Sequence, residues 1–224
     1  AAAAARSGGA PAAPPWAATD ERSVAAALPE FDLRRVVRDL EGFERLAYGE
    51  AFASMDTQRT GFLPFDADCM RALVLQNSAV NEGELDVELL KVGSLDEGGL
   101  SLSSLLQLLR DHAVAETVAI EEFLSASRDG VVVPATECRT ALLSLAYQQR
   151  FGFAEFTQEQ WDLIFDVVML DAGPLVQLEA WIAYCQSVAR ICRLARFLSR
   201  ANAGAVDGPA ALWASPPARP PPGG

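Results

Sequence analysis

Apolar residues recur at intervals of three and four along most of this chain, the spacing that lines one face of an α-helix. Leu33, Val36, Val37 and Leu40 open the pattern, and Phe43, Leu46, Ala47, Phe52 and Met55 continue it. It breaks at Thr60-Gly61 and resumes with Met70, Leu73 and Val74. Asn81 followed by Glu84 has the form of an N-cap with an acid three residues on, opening a helix through Leu85, Leu89 and Leu90. After Gly98-Gly99, the leucine-dense stretch Leu102–Leu109 predicts burial on more than one side. Thr157 and Gln160 form a second capping-box signature, ahead of Trp161, Ile164, Phe165 and Val168. A last long helix is predicted from about Val176 to Arg200, carrying Trp181, Ile182, Val188, Ile191 and Leu194.

The pattern is therefore helix, glycine break, helix, four times over, with breaks at Gly61, Gly98, Gly130 and Gly173. Each break is followed by a short apolar strip: Phe62-Leu63, Leu100-Ser101-Leu102, Val131-Val132-Val133 and Leu175-Val176. Arrays of helical repeats usually join their helices by tight turns without such strips. The strips predict loops paired as two-stranded ribbons, with Leu63 facing Leu100 and Val132 facing Leu175. The segment 104–124 between the two pairs is expected to be one long helix. The predicted core comprises Phe52, Met55, Leu63, Leu73, Leu105, Leu109, Phe123, Leu142, Trp161, Phe165, Trp181 and Ile182.

Composition changes this picture mainly at the ends. Residues 1–27 are rich in Ala, Pro and Gly around Trp16, and 201–224 end in proline pairs and triplets after Trp213. Both read as extended tails, with residues 1–15 and 214–224 expected to lack fixed structure. Trp16 and Trp213 are candidate partner-binding residues, since tryptophan is a common interface anchor. The start lacks the pattern of a secretory signal and fits the remnant of a cleaved organellar presequence. The formal charge of −12, from 30 acids and 18 bases, disfavours nucleic acid and anionic lipid as partners. No run of 18 apolar residues exists, so no membrane span is expected.

Catalytic and zinc chemistry find little to stand on. The four cysteines at 69, 138, 185 and 192 have no C-x-x-C spacing and are predicted to be free core thiols. His112, the only histidine, has no nucleophile nearby in sequence and is read as a surface residue. Neither a phosphate-binding P-loop nor a dinucleotide fingerprint occurs, so no enzyme and no cofactor are expected. The acid groups Asp66/Asp68 and Glu116/Glu121/Glu122 are read as solvated helix faces.

The stretch Glu50-Ala51-Phe52-Ala53-Ser54-Met55-Asp56, followed by Gly61, Leu63 and Phe65, resembles the calmodulin and troponin family of EF-hand proteins. Gln76-Asn77 with Glu82 to Leu85 resembles that family's linker and next helix start, and Glu122-Phe123 and Phe165 stand before the later loops as its aromatics do. The resemblance covers roughly residues 41 to 190. It implies an all-α fold with two EF-hand-like lobes, placed at 28–112 and 113–200 between tails 1–27 and 201–224.

Calcium loops of that family supply oxygens from positions 1, 3, 5, 7, 9 and 12, with glycine at 6 and a bidentate Glu at 12. With the four glycines set at position 6, position 12 falls on Ala67, Ser104, Thr136 and Glu179. Asp56, Gln58, Thr60, Asp129 and Glu179 are vestigial ligand candidates only, and no metal is expected. Asp56 is then read as a helix-end cap. The resemblance thus implies a non-enzymatic, calmodulin-like subunit that clamps a protein partner without calcium, in an intracellular flagellar, cytoskeletal or organellar assembly. The alternatives are a calcium sensor with atypical loops and a helical-repeat adaptor.

Overall fold

The computed structural model describes residues 32–148, 150–151 and 156–204; Trp16, Trp213, the tail 1–27 and residues 205–224 lie outside them, whereas residues 201–204, expected to open the second tail, are the end of the last helix. Among the described residues the protein is largely helical, with two small antiparallel ribbons. The first half holds α1 (Leu33–Val36), α2 (Leu40–Met55), β1 (Phe62–Pro64), α3 (Asp68–Asn77), α4 (Leu85–Val92), β2 (Gly99–Ser101) and α5 (Leu102–Asp111). The second holds α6 (Glu116–Ala126), β3 (Val132–Pro134), α7 (Ala135–Tyr147), α8 (Gln158–Val168), β4 (Leu175–Gln177) and α9 (Leu178–Gly204).

Local side chains start the helices. Asp39 accepts the Gly42 N–H at 3.0 Å and Ser101 accepts the Ser104 N–H at 3.1 Å. Each satisfies one of the amides that a first turn leaves without a partner. Asn81 is not the N-cap that its spacing predicts: it accepts the Glu84 N–H at 3.0 Å within the turn before α4, and the cap position falls on Glu84, which makes no side-chain cap bond. Thr157 and Gln160 make the reciprocal pair of bonds of a capping box. No helix among the described residues is long and apolar enough to cross a membrane.

In the first ribbon, Leu63 pairs with Leu100, as the glycine spacing predicts. Gly61 and Gly98 turn the chain into it at φ 80° and 65°, a region that side chains disfavour. In the second ribbon the expected pairing is wrong. Val132 faces Gln177, Leu175 faces Pro134, and the central pair is Val133 with Val176. Gly130 and Gly173 therefore lie three residues before their ribbon centres, where Gly61 and Gly98 lie two before theirs. The Asp129 carboxylate accepts the Val131 and Val132 amides at 2.9 and 3.2 Å, which keeps Val131 in the turn and leaves Val132 as the first residue of β3. On the other strand the Ala135 N–H donates to the Pro174 carbonyl at 3.1 Å, which sets Leu175 at the ribbon's end.

Residues 104–124 do not form one helix. α5 stops at Asp111 and α6 starts at Glu116, with buried Ala113 and Val114 in the bend between them. Long-range bonds fix that bend: the Ala79 N–H donates to the His112 carbonyl at 2.6 Å, and Arg193 Nε donates to the Ala113 carbonyl at 2.8 Å. The last helix begins at Leu178, because Val176 and Gln177 belong to the ribbon, and it extends to Gly204.

Apolar burial joins both halves in one continuous core. Ten of the twelve predicted core residues are buried; Met55 and Ile182 are partly buried and pack against it. The axis of this core is α9, which packs against α2, α3 and α5 of the first half and α6, α7 and α8 of the second. From Val188 to Leu198 it is buried on nearly every side.

Candidate functional site

The first half forms a seat for the second half of α9. The apolar faces of α2, α3 and α5, including Tyr48, Phe52, Leu73 and Leu105, are buried, and all three helices touch α9. The rings of Tyr48 and Phe197 meet at 4.9 Å. Between Ala180 and Gly204 the helix has no acidic residue but carries Arg190, Arg193, Arg196 and Arg200. It is a basic helix held inside an acidic chain.

The charges at this seat are specific. Glu44, 3% exposed, accepts Arg190 Nε at 2.8 Å and Nη2 at 2.7 Å. Arg110 Nε donates to the same carboxylate at 3.1 Å. Such two-pronged pairing adds geometric specificity to charge. Burial opposes the charge on Arg190, but the Glu44 bonds more than offset it and its pKa is raised. Arg193 is buried beside Tyr48 with a carbonyl, not a carboxylate, as its acceptor. Burial pulls its pKa down to about 10, so it stays protonated at neutral pH. Burial likewise raises the Tyr48 hydroxyl well above its usual range.

Of the five ligand candidates, Asp56, Thr60 and Asp129 are bonded within their own loops. Asp56 ends α2, and its carboxylate accepts the Thr60 N–H at 2.9 Å, the Thr60 hydroxyl at 3.1 Å and the Gly61 N–H at 2.7 Å. Partial desolvation pushes the Asp56 pKa up, but these bonds together hold it below the usual carboxylate value. Asp129 is lowered by bonds from Val131, Val132 and Ser127. Gln58 and Thr60 share the first loop with Asp56, whereas Glu179 lies in the first turn of α9. Counted from the ribbon centres, the frames of loops three and four each move by one residue. Position 12 then falls on Glu137 and Ala180 in place of Thr136 and Glu179. Among the described residues no three His, Cys, Asp or Glu side chains are grouped to hold a metal ion.

No family model, curated protein or solved structure matches this chain.

His112 is not simply a surface residue. It is partly buried, and its Nε2 lies 3.1 Å from Glu88, which also pairs with Lys91. An open cleft of about 680 Å³ between α2 and α5 is rimmed by Asp39, Glu41, Arg45 and Arg110, a mixed set without a nucleophile–base pair. Sequence reasoning missed Glu44 and Arg193 altogether, yet both fall in the apolar phase of their helices. Glu44 follows Leu40 by four and precedes Ala47 by three, and Arg193 follows Ala189 by four and precedes Phe197 by four. A charge at a core phase signals a buried polar contact, an ion pair for Glu44 and a backbone carbonyl for Arg193.

Proposed function

We propose that the chain is a non-enzymatic, calmodulin-like structural subunit of a larger intracellular assembly, whose helix-binding groove is filled by its own α9. The carrying observation is the seat itself: α9 lies between α2, α3 and α5, with Arg190 gripped by Glu44. Among the described residues that seat is occupied by α9, so partner contact falls to outer surfaces and to the tails with Trp16 and Trp213. The paired ribbons favour an EF-hand-like arrangement over a tandem helical-repeat adaptor, whose units need no strands. The loop carboxylates, spent on their own amides, favour a static module over a calcium sensor.

Size fractionation from the native source, with calcium and with a chelator, tests this. The chain should travel in the same high-mass fraction under both conditions. A free monomer under both would overturn the subunit reading, and a chelator-dependent shift would favour the sensor.

A further inference from the structure

The bend at His112–Ala115 is the only chain connection from α5 to α6, and a flexible joint there would let the halves swing apart. Three contacts act against that. Arg193, on a helix of the second half, donates to the Ala113 carbonyl in the bend itself. Arg190, one turn earlier, holds Glu44 on α2. The Ala79 N–H, following α3, donates to the His112 carbonyl. These bonds sit where α9 passes from one half to the other, and buried residues of both halves belong to one core cluster.

We propose that this protein is a rigid spacer, in which Arg193 and Glu44 clasp the bend and α2 to α9, so that neither half opens alone and its two ribbon ends keep a fixed relation. Two small lobes on a free linker would unfold separately; a shared axial helix makes each half's core incomplete without the other. The clasp adds direction to that apolar coupling. A buried guanidinium cannot slide to a new position without leaving either itself or a carbonyl unpaired. The spacer's use in an assembly rests on the structural-subunit reading above, whereas its rigidity does not.

Native-state hydrogen exchange on the full chain separates the two. In the wild type, the slowest amides of α2 and α3 should open with the same free energy as those of α8, within a factor of about two in rate. In Arg193→Met with Glu44→Gln, α2 and α3 should exchange at least about tenfold faster relative to α8, a change of about 1.4 kcal/mol. Lower protection in one half of the wild type would overturn the proposal without touching the subunit reading. Equal acceleration of all three helices in the double variant would show that apolar packing alone couples the halves, and would remove the clasp. The wild-type measurement stands even where the variant fails to fold.

Discussion

Glu44 and Arg190, 146 positions apart, meet through two hydrogen bonds of 2.8 and 2.7 Å inside the protein. The pair ties α2 to α9. The Arg110 guanidinium on the same carboxylate makes Glu44 the shared acceptor of two cations from two helices.

Removing that acceptor leaves both cations without it. Glu44→Ala should cost about 3–5 kcal/mol in urea unfolding, because breaking a buried pair strands the surviving charge. Arg190→Met should cost less, since Arg110 still neutralises Glu44. Glu44→Leu combined with Arg190→Met should recover most of the loss, with Arg110 left to Glu41 at 3.5 Å. A double variant as unstable as Glu44→Ala would show that Arg110, not Arg190, is the essential partner.

Thiol reactivity reports the core independently. Cys138, Cys185 and Cys192 are buried, and Cys69 is partly exposed. Burial raises the Cys138 thiol to about 11 and Cys192 to about 12, far from the thiolate form that reacts. A maleimide reagent at neutral pH should label Cys69 first and the other three only on unfolding. Fast native labelling of Cys185 or Cys192 would contradict the packing of α9.

The first ribbon was legible in the sequence because Gly61 and Gly98 stand at equal distances from Leu63 and Leu100. The second was not, because its register depends on where Asp129 and Pro174 spend their hydrogen bonds, which the apolar strips do not reveal. The break after α5 was hidden for a related reason. Ala113 and Val114 carry the apolar pattern through it, and one of the two bonds that fix the bend comes from Arg193, 80 residues later. The site was legible only as a phase conflict at Glu44 and Arg193; their partners are long-range and leave no local trace.

Acid should weaken the loops in a defined direction. Asp56 and Asp129 have folded pKa values below the ordinary one. Such groups contribute stability above their unfolded pKa of about 3.9, and that contribution is lost as pH falls through the folded value. The wild type should therefore lose thermal midpoint between about pH 5 and pH 2, on account of these two groups among others. Asp56→Asn with Asp129→Asn should start lower at neutral pH and fall less steeply over the same window. Parallel curves would show that the loop bonds do not discriminate between the charged and neutral forms.

Calcium should not bind at micromolar levels. The ion needs six to eight oxygens at about 2.3–2.6 Å, and affinity rises with the number of charged ligands. Counted from the ribbon centres, the last position is Ala67, Ser104, Glu137 and Ala180 in the four loops. In the third loop, Glu137 has Arg128 at the third position, 4.0 Å away, where a ligand would be required. In the first, both Asp56 oxygens already accept loop donors. Calorimetric titration should give no saturable heat, and a dissociation constant in or below the micromolar range would restore the sensor reading. The first loop also offers a gain-of-function test, because its glycine and ribbon spacing suit the family frame. Gln58→Asp with Ala67→Glu would place Asp56, two new carboxylates, Thr60 and the Phe62 carbonyl around one point. That variant should acquire saturable calcium binding, since an entering ion repays the Asp56 carboxylate for the amides it gives up. If neither protein binds, the loop shares only its length with a calcium loop, and the likeness to the calmodulin family loses its strongest stretch.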